Sequence, residues 1–337
     1  VCCGGGGLTA GIATAVKAHH PATDIYTVER YVEAILGDPS ETARLVLEAD
    51  GGATLFVGTQ SNGQGHETVY AGMVAAQTGL ALEAIRVVQG DSDAIPAGGG
   101  TGGSRSVTVQ GVAIAATVQG LTQAMGQALA PDLGPGVTFD QGTFRAPGSN
   151  LTLTLAEAAD RLRAAGQGHV LDHSRTTRLP GRSYPNGAHW AEVAIDPETG
   201  HVEMLRHIVT DDFGVLVHPR LAEGQVQGGV VQGIGQALME NAVHDPQGQP
   251  LSATFMDYAL PRAGDVPMIR FTTEPVPSTA NPLGMKGCGE AGTVGALPAV
   301  ANAVQDALAR LGAGPMDMPF TPHRIWDHLR RARAVAD

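Results

Sequence analysis

Short glycine-rich segments that feed helices constrain this chain more than any other feature. Forty-six of the 337 residues are glycine. Many stand in runs, at residues 4–7, 98–103 and 284–292. Such runs make tight turns and let the backbone come close to a neighbour or a ligand. Where a run opens a helix, free N–H groups and the helix dipole also suit an anion. For residues 4–7 a plain strand-to-helix turn explains the glycines equally well.

The rest of the composition narrows the class. Hydrophobic residues make up 43% and can form a sizeable core, and the length suits about two domains. The net charge of -12 argues against broad binding to a phosphate backbone, which needs a surface rich in lysine and arginine, so no nucleic-acid partner is expected. Three cysteines are too few for a disulfide scaffold and show no zinc-ligand spacing. The longest uncharged stretch, residues 106–131, carries Gln110, Gln119, Gln123 and Gln127 and reads as a buried helix, not a membrane span. The expected setting is cytoplasmic.

Along the chain, residues 1–30 read as a self-contained piece: an apolar lead, the first glycine run, a helix and a strand-like "DIYTV". Two strand-like runs then flank Asp50-Gly51-Gly52, a hairpin signal. A helix is expected from about His66 to Thr78, and a strand at "AIRVVQGD". The long uncharged helix puts Gln119, Gln123 and Gln127 on one face. Turn-rich sequence between Pro131 and Pro185 suits a boundary, and Thr154 with Glu157 forms a capping box before an amphipathic helix. A second hairpin turns at residues 196–200. A helix of small residues covers "LAEGQVQGGVVQGIGQALMEN", and the last glycine-rich loop feeds another helix. Hairpins mixed with helices favour an α+β arrangement over a doubly wound sheet.

Several constellations have the right chemistry for a site. Glycine and glutamine alternate at Gly63-Gln64-Gly65, at residues 224–229 and at residues 232–236. A glutamine amide both donates and accepts, and flanking glycines let the backbone approach a large polar, phosphate-bearing heterocycle. Helix-packing glycines beside solvated glutamines explain any one of these segments as well. Glu290 lies in the glycine loop before the last of these helices. Burial there raises a carboxylate's pKa toward the range of a general base, whereas a plain helix-start acid answers the dipole. Cys288 reads as a small core residue. His66-Glu67 lacks the second histidine of a zinc motif. Asp211-Asp212 is read as strand-end turn chemistry before a metal pair.

In order, "GTQSNGQGHET", "VVQGDSDAIPAGGGTGGSRS", the segment of residues 191–241, "FMDYALP" and "NPLGMKGCGEAG" closely resemble the molybdenum-binding large subunit of the xanthine dehydrogenase, aldehyde oxidase and carbon monoxide dehydrogenase family. The resemblance covers residues 31–325. It implies two molybdopterin-binding lobes, part of a first at 31–135 and a second at 136–325, with a tail at 326–337. It implies molybdopterin cytosine dinucleotide with molybdenum, and hydroxylation of a small aldehyde, N-heterocycle or similar substrate with water-derived oxygen. By resemblance Glu290 is the catalytic base and Gln64 lies near the metal's oxo ligand. Gly63, Gly65, Gly102, Gly103, Ser104, Gln227, Gly228 and Gln232 match cofactor-contacting positions. The implied partners are a [2Fe-2S] small subunit and an FAD-binding medium subunit, in a dimer of heterotrimers.

Two departures stand beside this. The front half of such a subunit, with its substrate-facing residues and any copper-binding cysteine loop, has no counterpart here. Residues 1–30 instead resemble the phosphate-cradling segment of pyridoxal-phosphate-dependent serine/threonine dehydratases, so the joint near Glu29-Arg30 reads as a fusion or a misassembled frame. The alternatives left open are a dehydratase fragment, which would need a Schiff-base lysine that neither Lys17 nor Lys286 is placed to supply, and a catalytically inert truncated fusion.

Overall fold

A computed structural model describes residues 40–95 and 97–336. The segment read as dehydratase-like, residues 1–30, lies outside them.

The chain enters on β1 (Ser40–Leu47), whose inward positions Ala43, Leu45 and Leu47 alternate with half-buried ones, the period of a strand covered on one face. It reverses at Asp50-Gly51-Gly52, where Gly51 takes a positive φ of 86° and the Gly52 N–H donates to the Asp50 carboxylate, into β2 (Ala53–Val57). Helix α1 (His66–Thr78) starts and stops on the left-handed glycines Gly65 and Gly79. It crosses over to β3 (Ile85–Gln89), which pairs parallel to β2.

A single π-helical turn, Ser106–Gln110, leads into α2 (Gly111–Leu133). Gln119, Gln123 and Gln127 form its exposed face as expected, while Ile114, Leu121, Met125 and Leu129 are buried. A small antiparallel sheet of β4 (Thr138–Asp140), β5 (Thr143–Arg145) and β6 (Thr152–Thr154) precedes α3 (Leu155–Ala164), and the expected Thr154–Glu157 capping box is present at its start. Strand β7 (Asp172–Arg178) then returns to pair antiparallel with β1, giving a sheet of order β3-β2-β1-β7. One apolar cluster joins this sheet to the three helices, running from Ala43 through Leu171.

The second core begins beyond β7. The long hairpin of β8 (Asn186–Ile195) and β9 (Val202–Asp212) turns at residues 196–200, and β10 (Ile269–Thr273) adds parallel to β9. Against this sheet and each other pack α4 (Pro219–Leu238) and α5 (Ala291–Arg310), closed by α6 (Pro322–Ala336). The close crossing of α4 and α5 requires glycine: a Cβ on Gly292 would sit 2.3 Å from the Val226 carbonyl oxygen, and one on Gly229 would sit 2.9 Å from the Thr293 nitrogen. The architecture is α+β, with two cores that change over between Arg178 and Asn186. Among the described residues no helix is long and apolar enough to cross a membrane.

Candidate functional site

Four segments from the two cores meet at one cavity of about 240 Å³. From the first core come Gln64, in the loop before α1, and residues Gly102, Gly103 and Ser104, in the loop before the π-helical turn. The second core supplies the 285–290 loop and, on the first turns of α4, Gln225. Local sequence explains each placement. Gly63 and Gly65 hold φ values of 100° and 81° on either side of Gln64, so the loop doubles back and presents the amide between them. A Cβ at Gly287 would lie 1.9 Å from the Ser104 carbonyl oxygen, so the two glycine loops touch backbone to backbone.

Their contact is locked by Glu290, the residue that caps α5. The Ser104 hydroxyl donates to Glu290 Oε2 at 2.7 Å, and the Glu290 backbone N–H donates to the same Ser104 oxygen at 3.0 Å. Ser104 is held at φ 55°, a left-handed conformation rarely taken by a residue with a side chain. The neighbouring residue anchors it there. Arg105 is buried, with Nη1 2.9 Å from Glu41 Oε1 and a second nitrogen donating to the Ser40 carbonyl at 2.9 Å. Glu41 also accepts from the Gly99 N–H at 2.9 Å. Burial pushes the Glu41 carboxyl above its ordinary pKa although Arg105 pulls it down. Across the cavity the Gln225 side-chain amide donates to the Gly289 carbonyl at 2.7 Å, tying α4 to the glutamate loop.

The remaining wall carries groups with capacity to spare. His66, which opens α1, is 2% exposed, and its Nδ1 has no partner. Burial lowers its pKa, so the ring is neutral at pH 7. The Cys288 thiol lines the cavity as well, and burial pushes it up to about 11, which keeps it protonated. Lys286 pairs with Asp212, whose carboxyl also accepts from the Gly214 and Val276 N–H groups and is held below its ordinary pKa. Asp211 and Asp212 therefore part company at the end of β9: one pairs with a lysine, and the other is buried beside His189. Among the described residues no group of three or more His, Cys, Asp or Glu side chains is placed to hold a metal ion.

Gln64, Gly102, Gly103, Ser104 and Glu290 thus come together around one cavity. Gln227, Gly228 and Gln232 do not line it. Gln227 donates to Glu223 at 3.2 Å along the outer side of α4, and Gln232 is exposed and accepts from Thr293 at 3.0 Å. The sequence gives His66 only as a rejected zinc ligand and Gln225 only as part of the 224–229 segment, and it does not mark the Glu41–Arg105 pair. Helix phase could have found Gln225. Buried Ala222, Val226 and Gly229 mark the inner face of α4, and two residues turn a helix about 200°, so Gln225 and Gln227 point apart. Nothing local could have found a pair that joins strand β1 to a distant loop.

A family model described as the molybdopterin cofactor-binding domain matches residues 9–267. The chain belongs to this family. It is the family of the molybdenum-binding large subunits, and the relatives agree. The carbon monoxide dehydrogenase large chain of Afipia carboxidovorans is 33% identical over 294 residues, covering 85% of this chain and 36% of its own length. The 6-hydroxypseudooxynicotine dehydrogenase complex subunit gamma of Paenarthrobacter nicotinovorans is 34% identical over 303 residues, covering 86% and 38%. Among solved structures, a Cu,Mo-CO dehydrogenase aligns with a TM-score of 0.80 at 32% identity over 87% of this chain and 38% of that one. Quinoline 2-oxidoreductase from Pseudomonas putida 86 aligns with a TM-score of 0.76 at 29% identity over 87% and 38%. The chain spans less than half the length of these relatives.

The wall of the cavity suits the molybdopterin group. Glycine backbone at Gly102, Gly103, Gly287 and Gly289 allows close approach, the Gln64 amide both donates and accepts, and the unpartnered His66 Nδ1 awaits a hydrogen-bond partner. The cavity is smaller than those that enclose a whole small ligand, about 300–1,000 Å³, which suits a wall for one part of a large cofactor.

Proposed function

We propose that this chain forms part of the large subunit of a molybdenum hydroxylase, in which Glu290 is the base and Gln64, Gly102, Gly103 and Ser104 hold the reactive end of the cofactor. The observation that carries this is the locked pair of glycine loops, with the Glu290 carboxylate fixed by Ser104 at the edge of a cavity that Gln64 enters. The cofactor is molybdopterin cytosine dinucleotide with molybdenum, and Gly63, Gly65, Gln227, Gly228 and Gln232 act in its binding through the loop and helix that carry them. When bound, it supplies a two-electron oxidation of a carbon centre with oxygen drawn from water.

The chain's own residues do the rest. Ser104 keeps one Glu290 oxygen engaged as a hydrogen-bond acceptor and so fixes the carboxylate in place. The other oxygen is free to accept a proton from the nucleophile, the work of a general base. Gln225 fixes the height of the glutamate loop over α4. Electrons leave through a [2Fe-2S] small subunit and an FAD-binding medium subunit, in a cytoplasmic dimer of heterotrimers. The substrate is a small aldehyde, a nitrogen heterocycle or carbon monoxide; relatives named as a carbon monoxide dehydrogenase and a quinoline 2-oxidoreductase support two of these.

The test separates chemistry from binding. With the remaining large-subunit sequence and the partner subunits supplied, Glu290→Gln is expected to lower turnover with a ferricyanide-type acceptor at or beyond the top of the range of about 10²–10⁴-fold for a general base. Molybdenum per protein should stay at the wild-type level. Gln232→Ala should lower molybdenum content first. Retained turnover in Glu290→Gln at normal metal content removes Glu290 from the role of base.

A further inference from the structure

Two asparagines in the chain are followed by glycine, Asn62-Gly63 and Asn186-Gly187. The backbone nitrogen after an asparagine can attack that asparagine's own side-chain carbonyl. A glycine in second place has no side chain to hinder the approach and turns most freely. Closing the ring turns the asparagine backbone away from the extended form. The two sites share this chemistry and differ in how the fold holds them.

Asn186 and Gly187 open β8 and pair in register with Asp212 and Asp211 of β9. The ladder keeps their backbone extended. The space beside Gly187 is also taken, since a Cβ there would fall 1.8 Å from Asp211 Oδ1. Asn62 and Gly63 are instead exposed, in the loop between β2 and α1. Gly63 holds a φ of 100°, and a Cβ there would meet nothing within 4 Å. Its N–H donates to Ser61 Oγ at 3.3 Å, longer than the usual range of about 2.7–3.2 Å. The attacking nitrogen is therefore held by no ladder or helix bond. Among the described residues Asn62 makes its hydrogen bond through its backbone N–H, and its side-chain amide makes none. That backbone N–H ties the loop to the cavity: it donates to Gln64 Oε1, and Gln64 lines the cavity wall.

We propose that Asn62 is a site of spontaneous modification, converting through a succinimide to isoaspartate and aspartate, and that the change releases Gln64 from its place at the cavity. The Gly63 nitrogen gives its proton to solvent and bonds to Asn62 Cγ. The Cγ–Nδ2 bond breaks, and the amide nitrogen leaves as ammonia. Water then opens the ring at either carbonyl. Opening at Cγ restores the main chain with a carboxylate side chain. Opening at the main-chain carbonyl leaves the chain running through Cβ, one carbon longer between the N–H that holds Gln64 and Gln64 itself. Both products put a negative charge beside that glutamine. As chemistry the inference stands on the loop alone. Its bearing on the cofactor rests on the reading of Gln64 as a residue that holds it.

The experiment ages the purified chain without cofactor in mildly alkaline buffer, so its outcome is separate from molybdenum loading and turnover. Peptide mapping by mass spectrometry, with fragmentation that tells isoaspartate from aspartate, follows both positions. We expect the amide-to-acid mass gain at position 62 as a mixture of the two products. It should appear about tenfold faster or more than at position 186, where the β8–β9 ladder has to open first. Ageing in urea should erase that difference. The Gln64 side-chain amide resonance should leave its original position in step with the product. In Asn62→Gln, which closes only a slower six-membered ring, that resonance should stay through the same ageing. No mass gain at position 62, equal rates at the two positions in the folded chain, aspartate without isoaspartate, or a Gln64 signal unmoved as product accumulates each overturns the proposal.

Discussion

Ser104 shows how a single residue at this site is paid for by its neighbours. A left-handed backbone costs a residue with a side chain about 1–2 kcal/mol, and here the hydroxyl that makes the cost worthwhile reaches Glu290. The conformation is enforced from the next position, where Arg105 is pinned by Glu41 and by backbone carbonyls in a region almost closed to water. Removing one member of such a buried pair leaves the other charge without an answer, at a cost of about 3–5 kcal/mol. Glu41→Gln is therefore expected to lower the unfolding free energy, read from urea denaturation, by an amount near the lower end of that range, since the amide keeps one acceptor for Arg105. The same variant should loosen the loop at residues 97–104, read as faster amide exchange at Gly99, whose N–H donates to Glu41.

At the scale of elements, the site depends on how closely α4 and α5 approach. Gly292 stands one turn or less from Glu290 and against the Val226 carbonyl, so a methyl group there forces the helices apart. Gly292→Ala should cost about 1–3 kcal/mol by overpacking and should displace the Glu290 loop with the helix it caps. Gly224 lies on exposed α4 surface with nothing near its missing Cβ, and Gly224→Ala should stabilise by up to about 1 kcal/mol through helix propensity alone. Opposite shifts in melting temperature for two glycine-to-alanine changes on one helix pair would separate packing from propensity. Helix α3 gives a purely local case. Thr154→Ala removes the side chain that accepts from the Glu157 N–H, and a loss of about 1 kcal/mol in the stability of the first core is expected.

For the whole molecule, two large apolar cores meet around the site, and a buried histidine of the second core couples the fold to pH. His207 is fully buried on β9, and burial, with the neighbouring His189, lowers its pKa from 6.5 to about 4. The folded ring is therefore neutral where the unfolded ring already binds a proton. The stability that depends on this is complete above about pH 6.5 and is lost as pH falls toward 4, by roughly 3 kcal/mol over the full window. Asp211 and Glu290 line one cavity with His189, the neighbour of His207, so the slope should be measured against His207→Phe, which is expected to flatten it. An unfolding free energy that is level between pH 6.5 and 4 would show that the buried ring finds a partner for its proton.

Short stretches of residues are enough to specify the local pieces. Periodicity and turn chemistry gave the hairpin at Asp50-Gly51-Gly52, the long helix with its glutamine face and the Thr154 capping box, because each depends on residues a few positions apart. Motif order identified the family, and the glycine loops carrying Gln64, Ser104 and Glu290 were legible because glycine at positive φ or at a close approach leaves a mark in composition. What those loops meet follows from packing alone. The Ser104–Glu290 bond, the Arg105–Glu41 anchor and the choice of Gln225 over Gln227 at the cavity all join residues distant in the chain. Their partners are set by how two cores pack and by the rotation of one helix, and neither is written in any short stretch of residues.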